Sequence, residues 1–173
     1  MLIRRARIED ISSILSIVRS AQLSLCELGI DQWQDGYPSR EVIEQDIANG
    51  VGYVACLESG MVVGYEAVVL SGEEAYAQLP ADAWHTSDQY VVVHRLCVLR
   101  ECCRRGIAIE LMRFAAEHAI EHDIHDFRID THRGNVRMLA MMQRLGFEYC
   151  GRIRYASGER EAFDLRIDLS KMV

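Results

Sequence analysis

Tyr90-Val91-Val92-Val93-His94-Arg95-Leu96-Cys97-Val98, followed at residues 103–108 by Cys103-Arg104-Arg105-Gly106-Ile107-Ala108, is the stretch that decides the fold. The first run is apolar and β-branched and predicts a strand. Beyond the glycine, Ile107, Leu111, Phe114, Ala115 and Ala119 recur at helical spacing, so a helix starts where the loop ends. The first amides of a helix have no intrahelical acceptor, and the helix dipole is positive there. Gly106 lets a ligand approach the backbone, and Arg100, Arg104 and Arg105 add positive charge. The combination suits a phosphate or pyrophosphate group. On these residues alone the segment reads equally as an ordinary connection with solvated arginines, because it lacks the glycine spacing of a Walker or dinucleotide loop.

Further along, Phe127-Arg128-Ile129-Asp130 reads as another strand, with Thr131 and His132 after it. Asn135 suits a helix N-cap, Met138, Met142 and Leu145 share one helical face, and Gly146 suits the left-handed residue that ends a helix. Phe147 then opens a further strand. With both segments in this order, the chain resembles the GCN5-related N-acetyltransferases, the GNAT superfamily. That family has a Gln/Arg-x-x-Gly-x-Gly/Ala loop and then an asparagine, a helix and Gly-Phe. The resemblance extends over nearly the whole chain, and Gly29-Ile30-Asp31-Gln32-Trp33 and Asp130-Thr131-His132 look like a bacterial branch of the family whose substrates are hard to predict.

The resemblance implies an α/β domain over residues 1–173, with a mixed central sheet whose middle strands splay and with helices on both faces. It implies acetyl-CoA as cofactor, held by the main chain of Leu96, Cys97 and Val98, by the loop residues Cys103, Arg104, Arg105, Gly106, Ile107, Ala108 and Ile109, and by Asn135. Met138 and Met142 would line the same cleft, although core packing explains their spacing equally well. Two positions depart from the family pattern. Cys103 stands at the first loop position, where Gln or Arg is usual. Met142 stands where many members carry a tyrosine that protonates the leaving thiolate, and a thioether cannot donate a proton. Tyr149 and Tyr155 are the remaining acid candidates.

His94 is the leading base candidate, alone among apolar strand residues and two positions before Leu96, because a histidine can accept a proton near neutrality. A bulge in the strand would break that alignment. His132, at the carboxyl end of its strand, is a second base candidate. Asp130 and Glu66, in apolar strand settings, are candidates for holding a cationic acceptor, and Trp33, Tyr37 and Trp84 for walling it. Each has a bland alternative: a structural histidine, an ordinary ion pair, an aromatic covering the core edge. His118, His122 and His125 gather near a helix end, but they lack a carboxylate–histidine constellation and read as solvated, so no metal is expected.

Composition fits one domain: half of the 173 residues are apolar, and the formal net charge is −7. Such acidity disfavours nucleic acid, which needs a basic face. No apolar run approaches a membrane span, and the N-terminus lacks a signal-peptide core, so a cytoplasmic location with no membrane partner is expected. The six cysteines read as reduced thiols: Cys56 and Cys97 sit in strand patterns, and Cys102 and Cys103 are adjacent. The remaining pattern gives a first strand from Leu2 to Ala6, a helix starting at Glu9 and Asp10, and a helix capped by Ser39. Hairpins are expected around Ser59-Gly60 and Ser157-Gly158, the last strand spanning Ala162–Leu169. The expected order is β-α-α-β-β-β-α-β-α-β-β. Monomer and homodimer both remain open, since Phe163-Leu165-Ile167 could pair between chains. The expected function is acetyl transfer from acetyl-CoA to a primary amine of a small molecule or peptide. The alternative is a CoA-binding sensor without turnover.

Overall fold

The computed structural model describes residues 1–86 and 89–172. Alternating and continuous apolar runs form strands β1 (Leu2–Arg5), β2 (Gly52–Cys56), β3 (Val62–Val69), β4 (Tyr90–Val98), β5 (Asp126–Thr131), β6 (Glu148–Tyr155) and β7 (Gly158–Arg166). Between them lie helices α1 (Ile11–Glu27), α2 (Arg40–Ala48), α3 (Ile107–Glu121) and α4 (Val136–Leu145). The element order is the one expected. The strands make one seven-stranded sheet in the order β1-β2-β3-β4-β5-β7-β6, antiparallel except for the β4–β5 pair.

Two helices cover each face. Ile11, Ile14, Ile17 and Val18 of α1 and Ile43 of α2 pack on Val54, Cys56, Tyr65 and Cys97. On the other face Met112, Ala115 and Ala119 of α3 and Met142 and Leu145 of α4 pack on Val68, Val91, Phe127 and Ile129. The pleat of β3 divides its side chains between these layers. Tyr65 points to the α1 layer, while a Cβ at Gly64 would lie 3.0 Å from Leu111 of α3.

The predicted caps are present. Ser39 accepts from the Val42 amide, Asn135 from the Met138 amide, and Gly146 ends α4 at φ 85°. The last strand starts earlier than its apolar pattern suggested. Glu159 and Glu161 are paired across the hairpin with Arg154 and Arg152, which draws this polar stretch into the ladder. β7 lies between β5 and β6, so Phe163 and Leu165 are inside the sheet and not on an edge that could pair with a second chain.

Candidate active site

β4 and β5 pair only at Tyr90–Asp126, Val91–Phe127 and Val92–Arg128. Beyond Val92 the two strands part, and the β5-facing edge of β4 has no strand partner among the described residues. A cleft of about 710 Å³ opens there. Leu96, Cys97 and Val98 of β4, Cys103 of the following loop, Ala108 of α3, the α4 cap Asn135 and Met138 of α4 line one part of it. His94, Arg95, Asp130, Tyr155, Trp33, Tyr37 and Glu73 line another.

The bulge that would disturb the His94–Leu96 alignment is present. Cys97 pairs with Tyr65 and His94 with Ala67, so β4 carries one extra residue at this point. Arg95 takes it up in a left-handed conformation (φ 58°). Bulges re-aim side chains. His94, Arg95 and Leu96 all line the cleft. Arg95 is anchored by Asp46 at 2.8 and 2.6 Å and donates to the Tyr37 hydroxyl at 2.8 Å. Tyr65 also donates to Asp46, at 2.7 Å, closing a network that fixes the bulge.

His94 Nε2 lies 3.2 Å from Glu73 Oε2. Glu73 is the cap of the 3-10 turn Glu74–Gln78, and its other oxygen accepts from the Ala75 amide at 3.0 Å. The hydrogen bond to His94 holds the Glu73 carboxyl below its ordinary range. With Nε2–H donating this hydrogen bond to Glu73, a neutral imidazole carries its lone pair on Nδ1. Opposite, Asp130 Oδ2 accepts from Tyr76 at 3.0 Å and Tyr155 at 3.1 Å. Burial raises the Asp130 carboxyl and, helped by Asp130, the Tyr155 phenol. Burial also pushes the Cys97 thiol up to about 12, leaving it uncharged at neutral pH.

Of residues 103–109 only Cys103 and Ala108 line the cleft; between them, Gly106 adopts φ 80°, and a Cβ there would meet nothing within 4 Å. Arg104, also left-handed at φ 63°, and Arg105 are exposed. Among the described residues, no backbone acceptor meets the amides from Arg104 to Ile109. An open space, free amides, a helix N-terminus and two cations together suit a diphosphate. The side chain of Ile107 is buried in the core and Ile109 packs against it, so both offer the main chain alone to the loop.

Five expected side chains are elsewhere. Met142 is fully buried in the α4 core, because α4 turns that face to the sheet, and Met141 lines the cleft beside Met138 in its place. Glu66 is 0 % exposed on the pleat face covered by α3, so it cannot hold an acceptor from the cleft. Trp84 packs on Tyr76 at 5.2 Å, with the Arg128 guanidinium 4.0 Å above its ring, and it walls no part of the cleft. Tyr149 is 53 % exposed and edge-on to Phe163, also outside the cleft. His132 is drawn into its own turn, where Nδ1 accepts from the Gly134 amide at 3.0 Å, and it does not line the cleft. His118, His122 and His125 go to separate partners: Tyr53, the His118 carbonyl and Asp123.

Sequence reading missed Glu73, Arg95 and Asp46. The first lies in a stretch read as polar connection, and its only signal was an acidic residue in capping position before a short turn. Arg95 gave no signal, because its role depends on the bulge.

A mixed sheet that parts at its centre beside a basic glycine loop is the architecture of an acyl-CoA transferase fold, as the sequence resemblance implied. The chain belongs to the acetyltransferase (GNAT) family, whose model matches residues 22–147. It is similar to a GNAT acetyltransferase from Streptococcus agalactiae 2603, at 33% identity and a TM-score of 0.87, covering 96% of this chain and 95% of that one. A GNAT acetyltransferase from Listeria monocytogenes 4b F2365 shares the fold at 22% identity and a TM-score of 0.74, covering 96% and 94%. So does a ribosomal-protein-alanine N-acetyltransferase from Brucella melitensis, at 21% identity and a TM-score of 0.69, covering 96% and 100%. No curated protein sequence matches significantly. Members of the family use acetyl-CoA as acyl donor. No helix among the described residues is long and apolar enough to cross a membrane.

Proposed function

We propose that the protein is an N-acetyltransferase that passes the acetyl group of acetyl-CoA directly to a primary amine of a small molecule or peptide. The observation that carries this reading is the His94–Glu73 pair, set in the cleft beside the unpaired edge of β4. Acetyl-CoA supplies an acyl group activated as a thioester. The amides of residues 104–109, with Arg104 and Arg105, hold its diphosphate, while Asn135 and Met138 border the path of its arm. The main chain of Leu96–Val98 would pair with that arm as an added strand does, and would offer an N–H to stabilise negative charge on the thioester carbonyl.

An alkylammonium must lose a proton before it attacks. His94 Nδ1 takes that proton, and Glu73 keeps the imidazole oriented and steadies its charged form. Tyr155 is poorly matched to protonating the departing thiolate, since burial and Asp130 both make its phenol a weaker acid. The proton gathered by His94 is the better source. Trp33 and Tyr37, edge to face at 6.5 Å, wall the acceptor end, and Asp130 offers its cationic partner a carboxylate. The elevated Cys97 thiol disfavours an acyl-cysteine route. The reading includes a cytoplasmic setting and a monomer or homodimer, with neither nucleic acid nor membrane as partner.

The second reading is a CoA-binding sensor. It is favoured by Met142, which fills the position of the family's acid with a core side chain. Acetyl-CoA turnover against a panel of amines, read as free thiol, separates the two. Turnover that falls by about 10²–10⁴ in His94→Gln, with CoA affinity kept, supports the enzyme. CoA affinity without thiol release on any amine supports the sensor, and no CoA affinity at all removes both.

A further inference from the structure

On the far side of β5 from the cleft, His85, Cys150 and Asp164 each bring a donor atom to within 4.8 Å of the other two. We propose that these three side chains form a zinc site that staples the segment preceding β4 to the β6–β7 hairpin. An imidazole nitrogen, a sulfur and a carboxylate oxygen are the donors zinc prefers, and a site with three protein ligands leaves its fourth position to water.

The spacing is close to what a tetrahedral ion needs. Zinc bonds of about 2.0–2.3 Å put neighbouring ligand atoms about 3.3–3.8 Å apart. His85 Nδ1 lies 2.9 Å from Asp164 Oδ1 and 3.5 Å from Cys150 Sγ. Shifts of a few tenths of an ångström in the half-exposed His85 side chain open the centre.

The surroundings orient the donors as a metal site requires. Asp164 Oδ2 accepts from the His85 amide at 2.7 Å, the Thr86 amide at 3.0 Å and the Thr86 hydroxyl at 3.2 Å. These three bonds fix the carboxylate, whose side chain is 1% exposed, and turn Oδ1 to the centre. The other imidazole nitrogen, Nε2, points towards solvent with Glu148 Oε2 3.8 Å away, so Nδ1 is the nitrogen turned to the centre. Cys150 arrives by a bulge: Tyr149 pairs with Phe163 and Gly151 with Ala162, which leaves Cys150 as the extra residue. Gly151 makes that bulge possible at φ 145°, where a Cβ would lie 2.8 Å from Leu79. The ion takes the place of the Cys150 thiol proton, which goes to solvent. None of the three ligands lines the cleft, so the site is independent of acyl transfer.

The test uses the full chain stripped of metal with a chelator, then titrated with zinc against a chromophoric competitor and separately with cobalt. One zinc per chain is expected, with a sulfur-to-cobalt charge-transfer band and a melting temperature that rises with zinc. Cys150→Ser and His85→Gln alter partly exposed side chains and should keep the wild-type circular dichroism. Each should weaken zinc binding by at least about 100-fold, and Cys150→Ser should abolish the band. Wild-type protein that binds zinc no better than Cys150→Ser overturns the proposal. So does a sulfur-to-cobalt band that survives in that variant, since another cysteine would then hold the ion.

Discussion

Replacing Glu66 by methionine should stabilise the protein at neutral pH, and the gain should grow with pH. Glu66 is 0 % exposed, and neither carboxylate oxygen has a hydrogen-bond partner. A buried polar group without a partner costs about 1–3 kcal/mol. Methionine matches the side chain in length and is unbranched, so repacking should cost less than about 1.5 kcal/mol. A second contribution is electrostatic. Burial raises the Glu66 carboxyl well above its ordinary value of 4.5. The folded protein therefore keeps a proton that the unfolded chain releases. With one more proton bound in the native state, wild-type stability falls by about 1.4 kcal/mol per pH unit. The fall begins above the ordinary glutamate value and ends at the elevated folded value. The contribution is whole below that window and lost through it. Methionine has no proton to lose, so the gap between variant and wild type widens by the same slope. Urea unfolding of both proteins at a series of pH values from acid to neutral measures it. A variant less stable than wild type at neutral pH would refute the reasoning, as would a gap that does not change with pH.

Asp46→Ala should cost about 3–5 kcal/mol in chemical denaturation, because it strands the Arg95 charge, whose side chain is 11% exposed, and removes the Tyr65 acceptor. A loss under 1 kcal/mol (roughly what an exposed pair is worth) would mean the network does not brace the bulge. Asp10→Asn should lose about 1–2 kcal/mol at neutral pH, since Arg4 reaches both Asp10 oxygens, at 2.7 and 2.9 Å. Arg4 holds the Asp10 carboxyl below its ordinary range, so this stabilisation is present above that range and lost as pH falls through the folded value. Thermal melts should accordingly show the two proteins converging in acid, and parallel curves would contradict the sign. Gly106→Val forces a β-branched residue to φ 80° and should shift the loop, weakening CoA binding about 10-fold or more by calorimetry. Unchanged affinity would move the diphosphate away from this loop.

The elements and their order were legible because each carries a local signature: alternating strands, Ser39 and Asn135 as caps, Gly146 as terminator. The loop proposed to hold phosphate stood out for the same reason, its glycine and arginines being contiguous. The acceptor end was less so. Glu73 reaches His94 only because the sheet brings a connecting turn over β4, and Arg95 enters the cleft only through a bulge. Glu66 and Met142 show the opposite error: their residue types suggested chemistry, but the pleat of β3 and the inner face of α4 direct them into the core. Trp84 was misplaced because its partner, Arg128, belongs to a distant strand. The His85–Cys150–Asp164 cluster joins a loop to two strands, and no spacing rule in one dimension anticipates it.

The three residue pairs that join β4 to β5 are the sheet's narrow waist. Every other neighbouring pair of strands in the sheet is joined by more residue pairs, so the waist is where the fewest ladder hydrogen bonds hold the sheet together. On the proposed function, a donor molecule seated in the gap would span both halves. Amide hydrogen exchange should therefore slow on both banks together when CoA is added, with β5 and β7 gaining protection although they lie beyond its diphosphate. Across that narrow junction the helices on one face, and a bound donor on the gap side, would be what ties the two halves into one board.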